Sequence, residues 1–441
     1  MSEKPAVGFV GLGAMGFGMA TNLVKQGYRV KGFDVFQKSV ERFAQAGGVA
    51  ATSLADSATD TPFHVLMVAS ADQAQQALFG EGGIVKALPQ GATLLLCSTV
   101  PSAYAQSVDK QLADAGRSDV FFVDAPVSGG AKRAADGTLT IMVGASDAAT
   151  EKARWLLEEM SDPKGLYIVP GGVGQGSNMK MVHQVLAAIQ ILLASEAHGF
   201  AARLGLDAQE VYDAVCKSPE WFWMYENRVP RLLAEDYTPG VSALTIILKD
   251  AGIITSTARL VNFPTPLSSA AEQVYLIGLA QGLGPIDDSA MVRTYFPEPV
   301  SSVKSQANGA TSSEDKLALV FKLLRGVLLL AAAEAISFAD YLKLDLHQFY
   351  DLASGAAGGS IAFRERGAEM IEFLTGKKVP GAKDLPPLGV KQIRDDLAEA
   401  ITIGRQAYGA VPLGGAALNL LTSALRTSGG QKEKAFYGLL P

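Results

Sequence analysis

Residues 174–184, Gly-Gln-Gly-Ser-Asn-Met-Lys-Met-Val-His-Gln, carry the strongest chemical signal in this chain. On a helix, Lys180, His183 and Gln184 stand at i, i+3 and i+4 and project from one face. An amine and two hydrogen-bonding groups on an otherwise apolar stripe cost desolvation energy unless something polar lies opposite. The plain alternative is a lysine that snorkels from a packed helix to water. What precedes and follows the segment decides between the two.

The segment follows a nucleotide-binding pattern. Val7-Gly8-Phe9-Val10 reads as a buried strand, Gly11-Leu-Gly13-Ala-Met15-Gly16 follows at once, and a helical pattern runs from Met15 to Lys25. Gly11 permits the tight turn, Gly13 lets backbone approach a pyrophosphate, and Gly16 lets helix and strand pack closely. Met15 lies in the same turn and is counted with the three glycines among the cofactor contacts. The pyrophosphate would rest on the helix N-terminus, where free N–H groups and the dipole favour an anion. A second strand, 28–33, ends at Asp34, at the separation expected of the ribose-binding acid. A carboxylate there accepts from a ribose 2′-OH and repels a 2′-phosphate, so NAD is expected, with NADP kept as the alternative because Lys38 is near.

Further strands are read at 64–69, 93–97 and 120–123, separated by helix-length stretches, which implies a mainly parallel, doubly wound sheet. Ligands of such sheets bind beyond the carboxyl ends of the strands. Two loops fall there: Ser98-Thr99-Val100-Pro101 and Asp124-Ala-Pro-Val-Ser128-Gly129-Gly130. A hydroxyl followed by two glycines offers donors to a carboxylate or oxyanion. An ordinary Ser-Gly-Gly turn is the competing reading.

Length and composition set the frame. A chain of 441 residues exceeds what one core organises, so two or three domains are expected. With 48% apolar and 19% charged residues it reads as globular, and a net charge of −6 argues against nucleic acid as the main partner. The apolar runs 191–194 and 327–333 are too short to span a bilayer, and residues 1–5 lack a secretory apolar core. Cys97 and Cys216 form neither a metal spacing nor a disulfide framework. A cytoplasmic protein with no metal, no nucleic acid and no membrane partner is expected.

Taken in order, 9–16, 124–130, Gly137-Thr-Leu-Thr-Ile-Met-Val-Gly144, Gly174-x-Gly-x-x-x-Lys180 and Lys249-Asp250 resemble the β-hydroxyacid dehydrogenases, the group of 3-hydroxyisobutyrate and 6-phosphogluconate dehydrogenases. The resemblance covers residues 5–296, and Lys180 with His183-Gln184 is most similar to the L-threonate branch. It implies reversible hydride transfer between NAD and a small β-hydroxycarboxylate, threonate-like or 3-hydroxyisobutyrate-like. It implies Lys180 as catalytic general acid/base and Ser128, Gly129 and Gly130 as the loop holding the substrate carboxylate. Thr99 and Lys249 then approach the nicotinamide end of the cofactor, and His183 and Gln184 are substrate contacts. A free lysine titrates near ~10.4, so a base role needs an environment that lowers that value; burial, the positive nicotinamide and Lys249 are expected to do so.

Departures from the family pattern also exclude. Phosphogluconate enzymes carry Glu-Tyr where this chain has Ala187 and Ala188, so a decarboxylating sugar-phosphate reaction is not expected. An imine or ketone reductase of the same fold usually lacks the lysine. A non-catalytic cofactor-binding module would have lost it.

Residues 192–215 and 330–353 align without gaps at an offset of 138, with 11 identities in 24 positions, among them Glu196/Glu334 and Asp207/Asp345. Later the offset is 146, pairing Pro266-Leu267 with Pro412-Leu413. The expected fold is an α/β Rossmann doubly wound sheet, residues 1–172, followed by two tandem all-α domains like that of 6-phosphogluconate dehydrogenase. These occupy 173–296 and 315–441, with a linker at 297–314. Lys180 pairs with Ala318, His183 with Phe321 and Lys249 with Asp395, so the second copy is expected to be structural. An intrachain pseudo-dimer of helical domains follows, with a homodimer left open. Trp221-Phe222-Trp223 reads as core, interface or cleft wall, and His64, His198 and His347 as structural.

Overall fold

Val7–Val10 (β1) is buried at every position, as a strand covered on both faces must be. In the computed structural model, which describes residues 4–238, 242–304, 312–355, 357–386 and 388–427, β1 lies between Val30–Phe33 (β2) and Phe63–Leu66 (β4). Val49–Ala50 (β3) lies outside β2, and Thr93–Leu96 (β5) and Phe121–Asp124 (β6) extend the other side. The order β3-β2-β1-β4-β5-β6 is parallel throughout, the six-strand arrangement of a dinucleotide-binding sheet. Beyond it, Val127–Ser128 (β7), Leu139–Ala145 (β8) and Ser161–Ile168 (β9) complete nine strands among the described residues. β8 runs antiparallel to β6 and β7 and parallel to β9. One face packs Phe9, Leu23, Phe43 and Val123 in one cluster; the other packs Leu66, Leu78, Leu94 and Leu112.

The chain divides into two compact units, Met1–Met181 and Val182–Pro441. The helix Gln175–Arg203 begins in the first and continues into the second. It alone, among the described residues, is long and apolar enough to cross a membrane, although its short apolar runs did not suggest it; its most apolar window is wholly buried within the fold. An apolar helix buried all round belongs to a core.

The second unit is helical, and its elements recur in order. Gln175–Arg203 and Ser313–Tyr341 have 29 residues each, Ala208–Cys216 and Leu346–Ser354 nine each, and Leu244–Leu260 and Val390–Gln406 seventeen each. Pro266–Ala280 and Pro412–Thr427 both open on proline, whose fixed φ suits a first helical turn. Asp207 and Asp345 cap the nine-residue helices alike, each accepting from the N–H groups two and three residues on.

Inside this unit the two halves grip one another reciprocally. Glu196 accepts from the Leu413 and Gly414 N–H groups, both at 3.0 Å. Glu334 accepts from Leu267 N–H at 2.8 Å, Ser268 N–H at 2.9 Å and Ser268 Oγ at 2.6 Å. Each carboxylate thus satisfies the free donors at the start of the other half's proline-led helix. Trp223 N–H donates to Gly359 O at 2.8 Å, and Ile361 N–H to Trp221 O at 3.2 Å, on either side of a Phe222–Ser360 bridge. Phe222 is fully buried there.

Of the expected linker, residues 305–311 lie outside the described residues, as do 428–441. Its first part is packed: Val300 is buried with Ala202, Leu232 and Val292.

Candidate active site

The first unit brings its sequence-predicted residues to one edge of the sheet. Gly11 follows β1 with φ +93°, and a Cβ there would stand 2.0 Å from Met67 O, so only glycine fits. A Cβ on Gly16 would meet Gly11 O at 1.8 Å, which ties the helix Gly16–Lys25 to the turn. At Gly13 a Cβ would meet nothing within 4 Å. That open approach, beside a helix whose first N–H groups have no helical acceptor, fits a dinucleotide pyrophosphate. Met15 stands immediately before the helix.

Asp34, at the end of β2, accepts from Leu12 N–H at 2.7 Å and Phe36 N–H at 2.8 Å. Two bonds leave acceptor capacity on a carboxylate, and its place against the glycine turn suits a ribose hydroxyl. Farther along the same edge, Ser98 Oγ accepts from Val68 N–H at 2.8 Å, fixing the loop that carries Thr99. Ser128 ends β7 and is buried; Gly129 and Gly130 follow with φ +140° and +75°. A Cβ on Gly130 would meet nothing within 4 Å, so that backbone is open to approach as well.

Asp124 had no assigned role in the sequence, and the structure gives it one. Fully buried at the end of β6, it accepts from Gly174 N–H at 3.1 Å, Ser177 N–H at 2.8 Å and Ser177 Oγ at 2.7 Å. Burial pushes its carboxyl up to about 6, the three donors opposing the rise. Gly176 packs so closely that a Cβ would meet Met142 O at 2.5 Å and Asp124 O at 2.7 Å. The opening turn of the long helix is therefore fixed to β6 and β8, and Lys180 follows one turn later, 5% exposed. A lysine that snorkels to solvent would be far more exposed.

In the second unit, His183 is fully buried and Gln184 half-buried. Gln184 Nε2 donates to Asp250 Oδ2 at 2.6 Å, and Lys249 Nζ meets Asp250 Oδ1 at 2.9 Å. Asp250 thus joins two of the predicted residues, and it counters the Lys249 charge that was expected to act on Lys180. His64 and His198 are buried partners of Ser57 and Tyr225, and burial pushes both imidazoles down to about 3. Among the described residues no group of three His, Cys, Asp or Glu side chains is placed to hold a metal.

A parallel sheet in this strand order with a glycine turn and a ribose-type acid, followed by a lysine-bearing buried helix, defines a nicotinamide-dinucleotide oxidoreductase. Residues 6–174 match the NAD-binding domain of 6-phosphogluconate dehydrogenase, and residues 174–295 the NAD-binding domain of NADP-dependent 3-hydroxyisobutyrate dehydrogenase. An L-threonate dehydrogenase of Cupriavidus necator is 38% identical over 289 residues, covering 66% of this chain and 95% of the relative. A 3-hydroxyisobutyrate dehydrogenase structure from Salmonella typhimurium superposes with TM-score 0.62 at 34% identity, over 66% of this chain and all of that one. The 6-phosphogluconate dehydrogenase of Plasmodium falciparum, 16% identical, has TM-score 0.67 over 97% of this chain and 93% of its own, a likeness of fold that includes the second helical half. The chain belongs to the β-hydroxyacid dehydrogenase family; it is an NAD(P)-binding hydroxyacid dehydrogenase.

Proposed function

We propose that this enzyme oxidises, reversibly, a small polyhydroxylated β-hydroxycarboxylate of the threonate kind, with NAD as preferred cofactor, in the cytoplasm. The observation that carries the reading is Lys180, an amine buried on a helix whose start is pinned to the sheet by Asp124. Bound NAD supplies the hydride acceptor. Lys180 takes the hydroxyl proton through Nζ during oxidation and returns it during reduction. Such assistance is worth ~10²–10⁴-fold. Ser128 and the Gly129–Gly130 backbone offer donors to the substrate carboxylate. Gln184, its amide held by Asp250, and His183 contact the substrate hydroxyls. Gly11, Gly13, Met15, Gly16 and Asp34 hold the cofactor, and Thr99 and Lys249 face its nicotinamide end. The identity to an L-threonate dehydrogenase supports the polyhydroxylated substrate, and Asp34 supports NAD.

The second helical half is, in this reading, a non-catalytic copy of the first, and the two form a pseudo-dimer within one chain. The matched helix lengths and the reciprocal Glu196 and Glu334 caps support it.

Steady-state NAD reduction across threonate, erythronate, 3-hydroxyisobutyrate and glycerate tests the activity, and Lys180→Ala tests the mechanism. The variant is expected to bind NADH normally and to lose at least ~10²-fold in kcat. Near-normal turnover would reject the role of Lys180.

A further inference from the structure

The two halves meet around the Phe222–Ser360 bridge, but the residues just before the bridge differ. Glu220 and Gly358 correspond at the offset of 138, and each faces the other half's long helix. Glu220, 4% exposed, pairs with Arg325 Nε at 2.9 Å, on the helix Ser313–Tyr341. Gly358 faces the helix Gln175–Arg203: a Cβ there would stand 3.2 Å from Leu186 Cβ and 3.6 Å from His183 Nε2. Gln190 Nε2 holds this turn by donating to Gly358 O at 2.7 Å. Gly358 has φ +117°, a conformation that strains any other residue.

The same offset maps Arg325 onto Ala187. Where one face carries two long charged side chains in contact, the other carries a methyl group and a hydrogen. The lighter face lies on the helical turn that follows Lys180, beside His183. The charged face lies where the second half has Ala318 and Phe321.

We propose that the second half shapes the substrate contact of its own chain through His183: the Gly358 turn packs against that ring and against Leu186 and sets where the ring stands. At the corresponding place on the other face stands the Arg325–Glu220 pair instead. The inference rests on the hydroxyacid reading above and adds which part of the chain shapes the site.

Gly358→Val and Gly358→Ala in the full-length protein test it, with Arg325→Ala as control. Expected are a rise in hydroxyacid KM of tenfold or more for Gly358→Val, a smaller rise for Gly358→Ala, and NADH affinity within twofold of the parent. The side-chain ¹H–¹⁵N signal of His183, assigned by its loss in His183→Gln, should move in both glycine variants and stay put in Arg325→Ala. Unmoved KM and unmoved signal in a folded glycine variant overturn the proposal. If Gly358→Val does not fold, Gly358→Ala decides. If no hydroxyacid is turned over at all, the functional reading fails, and the His183 signal still decides whether Gly358 positions that ring.

Discussion

The two helical halves of the chain, which begin at Gln175 and Ser313, share helices of 29, nine and seventeen residues and differ in what those helices carry. The first has Lys180, His183 and Lys249; the second has Ala318, Phe321 and Asp395 at the corresponding places. Both keep the buried glutamate and both keep the aspartate cap. Asp395 lies on the surface, bonded to Lys391 at 2.6 Å and Arg394 at 2.8 Å, pairs on one exposed helix face. On the proposed reading, what both halves keep satisfies buried backbone donors, and what one half keeps serves the reaction. An unmade buried hydrogen bond penalises any copy, whereas an unused amine on a core helix penalises the copy that keeps it.

The largest effect expected is on turnover. Lys180→Ala should cost at least ~10²-fold in kcat, while Ala318→Lys in that background restores none of it. Recovery on adding a lysine at 318 would mean that the second half retains a working site, and the comparison would break.

Stability should respond symmetrically where chemistry does not. Glu196→Ala and Glu334→Ala each strand at least two buried N–H groups, so each should cost about 2–5 kcal/mol in urea unfolding. A large loss from one and none from the other would deny the reciprocal grip. Burial pushes both carboxyls up to about 7 from an ordinary 4.5, the donated N–H groups opposing the rise. Because the folded-state value is raised, the stabilising contribution is complete below pH 4.5 and is lost as pH rises through 7. His64 and His198 run the other way: their folded values fall from 6.5 to about 3, so their contribution is lost as pH falls through that window. Unfolding midpoints of the parent and of Glu196→Gln/Glu334→Gln between pH 4.5 and 7 isolate the carboxyl contribution. The parent should lose stability relative to the variant as pH rises; a constant difference would sink the assignment.

Much of this architecture is legible in the sequence because it is local. Apolar runs broken by glycine turns mark β1, β2, β4, β5 and β6, and Lys180 stands out as a lone amine among apolar neighbours. The strand Ser161–Ile168 was not legible: Asp162, Pro163, Lys164 and Gly165 interrupt any strand periodicity, and pairing with β8 creates it. Asp124 was read only as part of a loop motif, because its partners Gly174 and Ser177 lie 50 and 53 residues away. The contact made by Gly358 was equally hidden, since Gln190, its partner, is 168 residues distant. Contacts of that range leave no period for a sequence to display.

The finest comparison lies between two contacts of the same kind. Gln184 and Asp250 correspond to Lys322 and Asp396 at the two offsets, and both pairs are in contact: Gln184 Nε2 at 2.6 Å from Asp250 Oδ2, Lys322 Nζ at 3.4 Å from Asp396 Oδ1. In the second half the pair is an ion pair near the surface, where Glu399 shares the same ammonium at 2.6 Å. Removing one charge there should cost less than ~1 kcal/mol of stability, and Asp396→Asn should leave KM unchanged. In the first half the carboxylate fixes the amide of Gln184, a residue proposed above to contact a substrate hydroxyl. Asp250→Asn offers that amide a weaker acceptor and turns N–H donors toward Lys249. The expected result is a KM for the hydroxyacid raised ~10-fold with a smaller change in kcat, the signature of lost substrate binding in ground and transition states alike. If Asp250→Asn and Asp396→Asn both lower only the unfolding midpoint, the aspartate serves packing in both halves, and Gln184 loses its claim on the substrate.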